Sequence, residues 1–267
     1  MPITSASNPR LKRLRAALRD GSPDLLGRVR IEGPKLIREA IRSRLVIEEV
    51  FVSEGRRLDR EVLALLRQIP GQPQIVEVAE RLFPGIAGTE NPQGLLALAA
   101  LPVVPVETLL QRASMVLVGC ELQDPGNLGT LVRSAEAFGA QGVLLTRTSV
   151  NPWNEKAVRA SAGSVFRVPC LSGFESTSLL RLLGQNGFRI VAATPRATTD
   201  FREADYRDRF ALVLGNEGKG LNKEVLRFVQ TQIHIPMADG IESLNVSVAA
   251  SIVLCEAAHQ RRKDREQ

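Results

Sequence analysis

The chain has 267 residues, 44% of them hydrophobic and 4% aromatic, enough to bury one large or two modest cores packed chiefly with aliphatic side chains. No apolar run reaches the roughly 18 residues of a membrane span, and the N-terminus lacks the hydrophobic stretch of a secretory signal, so a cytoplasmic protein with no membrane attachment is expected. The net charge of +6 is concentrated at the front, where residues 1–44 hold eleven Lys or Arg against four Asp or Glu; that distribution points to a polyanionic partner.

The first predicted element is a basic helix carrying Arg10, Lys12, Arg13, Arg15 and Arg19, which can meet several phosphates together; a solvated helix face is the competing reading. Strand-like VRIE, VIEEVFV, QIVEV and GLLALAAL follow, separated by helical stretches, and form a small α/β module that ends near Leu101. Pro102 and Pro105 favour extended backbone and place a linker at 102–112. Beyond it, the buried-strand candidates MVLVG, GVLLT, RIVAAT, ALVLG and IHIPM alternate with helical segments near 127–138, 154–162, 176–186 and 222–229. That alternation predicts a parallel sheet covered by helices. Ligands of such sheets gather where loops leave the carboxyl ends of strands, and three polar blocks occupy that position. The charged tail RRKDREQ reads as solvated or frayed.

Cys120, Cys170 and Cys255 are odd in number, far apart and set in apolar surroundings, the pattern of reduced core thiols. His234 and His259 are the only histidines, and no paired-Cys or HExxH spacing accompanies them, so no transition-metal site is expected. His234 alternates with apolar neighbours as a packed or edge residue.

The first polar block runs from Glu121 to Gly139. Asp124, Pro125 and Gly126 turn the chain, and Asn127 is placed to cap a helix that carries Arg133. Six residues on an ideal helix leave Asn127 and Arg133 about 120° apart, so they converge only through a bend or a pocket. The competing readings are a plain cap for Asn127 and a surface ion pair with Glu136 for Arg133. The second block is LVLGNEGKGL. A phosphate-binding P-loop needs Ser or Thr after Gly-Lys, where Gly220 stands, and the dinucleotide pattern fails at Lys223. The third block is IPMADGIESLNVSVAASIVLCE, read as a helix that begins at Ser243, with a structural cap as the alternative.

In this order and spacing, NLGTLVRSAEAFGA, LVLGNEGKGL and IPMADGIESLNVSVAA resemble the three motifs of the SpoU/TrmH branch of SPOUT RNA 2′-O-ribose methyltransferases, over about residues 113–260. NPWNEKAVRASAGSVFRVP is similar to the family's stretch between the first two motifs. IEGPKLIREA, EEVFVS and NPQGLLALAAL resemble more loosely its ribosomal-protein-like RNA-binding domain. The resemblance implies an α/β protein with an RNA-binding domain at 1–101, a linker at 102–112 and a SPOUT domain at 113–267. That domain would hold a parallel sheet with flanking helices and a deep trefoil knot, a topology otherwise nearly absent from proteins. A homodimer is implied too.

The implied cofactor is S-adenosylmethionine, on Leu214, Gly215, Asn216, Ile235, Pro236, Met237 and Leu244, and the implied catalytic group is Asn127, Arg133, Glu217, Ser243 and Asn245. RNA would meet Arg10, Lys12, Arg13 and Arg15, with rRNA favoured over tRNA because a separate front domain resembles the rRNA-acting members. A guanidinium is a poor proton acceptor, so Arg133 is expected to stabilise charge, and the base stays open among phosphate oxygen, water and Glu217. A non-catalytic RNA-binding or ribosome-assembly factor is the alternative class; it has no need of all five catalytic-type residues.

Overall fold

A computed structural model describes residues 1–17 and 21–265. In chain order the elements are helix α1 (Pro9–Ala17), strand β1 (Arg28–Glu32), α2 (Pro34–Arg42), β2 (Ile47–Ser53), α3 (Arg60–Leu66), β3 (Gln74–Val78), β4 (Leu95–Ala100), α4 (Val106–Arg112), β5 (Met115–Gly119), α5 (Pro125–Phe138), β6 (Val143–Thr146), α6 (Glu155–Ala160), β7 (Cys170–Phe174), α7 (Ser176–Gln185), β8 (Arg189–Ala193), β9 (Thr199–Asp200), β10 (Phe210–Leu214), α8 (Lys223–Leu226), β11 (Thr231–His234) and α9 (Val246–Arg265). They gather into two compact units, Met1–Pro102 with Trp153–Phe166, and Val103–Pro152 with Arg167–Gln267.

The first unit is built on a sheet of order β1-β4-β2-β3, antiparallel except for the parallel pair of β2 and β3. Strand β4 reads LLALAA without polar alternation because it is central and buried along nearly its whole length. Leu11 and Leu14 anchor α1 in a cluster with Phe51, Val78 and Phe83, which leaves Lys12 and Arg13 between them exposed. Arg10 donates to Gln74 Oε1 at 3.1 Å, while Arg15 donates to the carbonyls of Gly85 and Ala6. Arg19 lies outside the described residues. Two more of the front basic residues are spent internally: Arg28 pairs with Asp24 and Glu49, and Arg30 with Glu155. Gly88 makes room for that second pair, since a Cβ there would overlap the Glu155 carboxylate.

The second unit holds seven parallel strands in the order β7-β6-β5-β10-β8-β11-β9. All five residues of β10, FALVL, are buried, as a central parallel strand covered on both faces requires. Leu109, Leu110, Leu179, Leu183 and Val225 from α4, α7 and α8 join Val116, Val118, Ile190, Ala211 and Val213 in one core. The alternate residues Leu117 and Leu212 point to the opposite face and are buried as well. Helix α5 packs on α9, where the hydroxyls of Ser134 and Ser251 meet at 2.7 Å.

Several sequence expectations are corrected. The segment read as an extended linker turns helical at Val106, directly after Pro105, whose fixed φ suits a helix start. Helix α8 has four residues, shorter than 222–229, because the chain must turn back through Gln230 to enter β11. Helix α9 starts at Val246, three residues later than Ser243, with Asn245 as its cap. The tail is helical through Arg265, and Arg261 is tied to Ser114 and to the carbonyls of Tyr206 and Asp208.

Cys255 is exposed on α9, so only Cys120 and Cys170 fit the core-thiol reading. Burial pushes both of those thiols up to about 12, which leaves them protonated and unreactive. Strands β7 and β9 went unread because both are edge strands with few buried residues. His234 lies on β11 and bonds the Thr199 carbonyl at 2.9 Å through Nδ1. Among the described residues, no helix is long and apolar enough to cross a membrane, and no three His, Cys, Asp or Glu side chains converge on a metal site.

Candidate active site

All strands of the second unit are parallel, so the three polar blocks leave the same edge of its sheet, after β5, β10 and β11. Strands β5 and β10 are neighbours, and β8 separates β10 from β11. The first block turns at residues 121–124. There Asp124, rather than Asn127, caps α5 by accepting the Asn127 N–H at 2.8 Å. Asn127 sits in the first turn, and its side chain is freed for longer reach.

Glu217 bridges the second block to that helix start. Its carboxylate accepts the backbone N–H of Gln123 at 3.3 Å, the N–H of Asp124 at 3.2 Å and the Asn127 Nδ2 at 3.2 Å. A carboxylate only accepts, so the Asn127 amide must turn its nitrogen to Glu217 and its oxygen elsewhere. That oxygen takes the Asn245 Nδ2 hydrogen bond at 2.8 Å. The Asn245 oxygen in turn accepts from the Ser247 N–H and hydroxyl, which caps α9. Asn127 is therefore the residue through which all three blocks are joined. Burial raises the Glu217 pKa, but hydrogen bonds from its own N–H, Asn127, Asp124 and Gln123 outweigh it and hold the carboxyl below its ordinary value.

The second block is a tight loop closed by paired backbone hydrogen bonds between Asn216 and Gly220. Asn216 Oδ1 accepts the N–H groups of Gly218 and Lys219, both at 3.0 Å, and its Nδ2 donates to the Glu121 carbonyl at 2.8 Å. Gly215 is required here: a Cβ would stand 2.6 Å from the Gly220 oxygen and 2.7 Å from the Leu221 nitrogen. Across the gap, Glu121 holds a left-handed backbone with φ 58°, a conformation that costs a side-chain-bearing residue about 1–2 kcal/mol. Its N–H is held by Thr146 Oγ1 at 2.9 Å, and its carbonyl also takes Gln123 Nε2.

Of the five catalytic candidates, Asn127, Glu217 and Asn245 are hydrogen-bonded into one network. Arg133 and Ser243 are not; both are exposed, and neither side chain bonds another described residue. Glu136, the partner considered for Arg133, pairs instead with Arg167. Among the cofactor candidates, Leu214 is buried and Gly215, Asn216, Ile235, Met237 and Leu244 are half-buried, while Pro236 is exposed. Sequence reasoning passed over Gln123, Asp124 and Glu121 as site-forming residues; the Asp-Pro-Gly-Asn run is the signal that could have found Asp124.

The SpoU rRNA methylase family profile matches residues 114–255, and that of the MRM3-like substrate binding domain matches residues 8–97. A 23S rRNA (guanosine(2553)-2′-O)-methyltransferase, RlmP, of Bacillus subtilis is 30% identical over 84% of this chain and 86% of its own. A solved RNA 2′-O ribose methyltransferase is 36% identical, with a TM-score of 0.80 over 98% of this chain and all of that one. An rRNA methyltransferase from Sinorhizobium meliloti, solved with S-adenosylmethionine bound, is 28% identical with a TM-score of 0.81 over 97% of each chain. The chain belongs to the SpoU rRNA methylase family, whose members are S-adenosylmethionine-dependent RNA 2′-O-ribose methyltransferases.

Proposed function

We propose that this enzyme methylates the ribose 2′-hydroxyl of a ribosomal RNA nucleotide at the edge of the sheet where its three polar blocks meet. The observation that carries the reading is the Asn127 amide, hydrogen-bonded to Glu217 on one side and Asn245 on the other. A structural cap needs only one such bond, and Asp124 already provides it.

The residues fit the cofactor. Leu214, Ile235, Met237 and Leu244 offer apolar walls, and among the described residues the N–H groups of Ile235 and Met237 pair with no protein acceptor. Apolar walls with unspent backbone donors suit an adenine ring. Gly215, Asn216 and Pro236 complete the loops around it. Bound there, S-adenosylmethionine supplies an electrophilic methyl group.

The chain's own residues do the rest. Arg133 binds the phosphate beside the reacting ribose and stabilises the alkoxide as it forms. Glu217 keeps its charge and spends its oxygens on residues 123–127, so it orients Asn127 rather than taking the proton. Asn245 and Ser243 hold the ribose. The 2′-hydroxyl proton leaves to a phosphate oxygen or to water.

The functional division follows the sequence, with RNA capture in residues 1–101, a linker at 102–112 and methyl transfer in 113–267; the second half of that linker is the core helix α4. Lys12 and Arg13 contact RNA phosphates, joined by Arg10 and Arg15 when RNA displaces their internal bonds. A trefoil knot through the second and third blocks, a cytoplasmic location and a homodimer complete the reading. Exposed Val248 and Cys255 on α9 support self-association. To test the target, purified protein and labelled cofactor are incubated with unmodified rRNA and tRNA, and new 2′-O-methyl sites are mapped. Methylation of rRNA is expected; methylation of tRNA alone, or of neither with cofactor bound, would contradict the proposal.

A further inference from the structure

We propose that the Glu121 carboxylate faces the sulfonium of S-adenosylmethionine, so that the site tells the charged methyl donor from its neutral product; this rests on the cofactor reading given above. Glu121 follows β5 and lies against the second block, because its carbonyl accepts Asn216 Nδ2 at 2.8 Å and the neighbouring Cys120 N–H reaches the Leu214 carbonyl at 2.8 Å. Those contacts put it one strand from the loop that carries Leu214, Gly215 and Asn216. Its N–H is pinned separately by Thr146. The residue is thus fixed in a left-handed conformation that glycine or asparagine would adopt with less strain.

Among the described acidic residues of this edge without a hydrogen-bond or ion-pair partner, Glu121 is half-buried whereas Asp239 and Glu242 of the third block are exposed. Glu217 accepts three hydrogen bonds from residues 123–127, and Asp124 caps α5. The Glu121 side chain is half-buried and makes no hydrogen bond or ion pair with another described residue. Its charge is still felt nearby, where it adds to burial in raising the Cys120 thiol. A half-buried carboxylate without a partner is unfavourable by itself and is relieved by a cation delivered with the ligand.

The reaction consumes that cation. The bond from sulfur to the methyl carbon breaks, its electron pair stays on sulfur as a neutral thioether, the ribose oxygen forms the new bond to carbon, and the hydroxyl proton departs. A carboxylate beside the sulfur therefore holds the donor and loses its grip on the product, which favours product exchange.

The test is calorimetric titration of the protein with S-adenosylmethionine and, separately, S-adenosylhomocysteine, without RNA. Glu121→Gln keeps the size and removes the charge; it is expected to weaken donor binding roughly tenfold while product binding stays within about twofold. Glu121→Asn should show the same selective loss although it relieves backbone strain, with a melting temperature no lower than that of the parent. Equal weakening of both ligands would assign Glu121 to shaping the loop, and no change in either would remove it from the site; each overturns the proposal alone. Failure of the parent protein to bind either ligand would overturn the cofactor reading along with it.

Discussion

Arg133 is exposed on α5, and its side chain makes no ion pair or hydrogen bond among the described residues. A cation kept clear of carboxylates is available to an anion arriving with the substrate. Arg133→Ala is expected to lower methyl transfer by about 100-fold or more, the scale of losing one oxyanion donor, with cofactor affinity kept. Full activity in that variant would remove Arg133 from the chemistry. Asn245→Ala removes both the Asn127 link and the α9 cap; a stability loss of about 1 kcal/mol is expected by denaturant unfolding, alongside a larger loss of activity.

Glu217 sets a pH window. Its folded pKa lies below the ordinary carboxylate value of 4.5, so its contribution to stability is present above that value and disappears as pH falls through the folded pKa. Glu217→Gln should flatten the acid side of the stability profile and leave the alkaline side alone. Asn127, Glu217 and Asn245 were legible in the sequence through the resemblance of their three blocks to the family's motifs. Their connection was not, since the Asn127 amide meets partners 90 and 118 residues away.

At the scale of elements, periodicity found strands that are buried throughout, such as β5 and β10, and missed β7 and β9, whose exposed edges carry little apolar signal. Helix starts were misplaced where two polar residues competed for the cap. Asp124 displaced Asn127 and Asn245 displaced Ser243, each choice settled by which side chain reaches the first free N–H. The turn after β10 is sterically closed, so Gly215→Ala forces the Gly220–Leu221 peptide away from residue 215. A destabilisation of about 1–3 kcal/mol is expected, read as a lowered melting temperature. Unchanged melting would mean that the loop relaxes without strain.

For the whole molecule, the basic surplus at the front is smaller in effect than its count implies. Arg28 and Arg30 are buried in ion pairs, and Arg10 and Arg15 hold neighbouring groups of their own unit, so Lys12 and Arg13 are the readily available cations of α1. Charge counting could not separate these classes, because pairing depends on contacts distant in sequence. Replacing Arg10, Lys12 and Arg13 together should weaken RNA binding and flatten its dependence on salt; an unchanged slope would return them to a solvated face. The compact grouping of residues 153–166 with the front unit was equally out of reach, since contacts within it, such as Arg30 with Glu155, span 125 residues.

The central claim is transfer to a ribose oxygen of RNA, and the fate of the label after alkaline hydrolysis of RNA methylated with methyl-labelled cofactor tests it most directly. A 2′-O-methyl group blocks cleavage of the adjacent phosphodiester, so the label should appear in alkali-resistant dinucleotides and vanish with Arg133→Ala. Label recovered in mononucleotides would place the methyl group on a base and contradict the assignment.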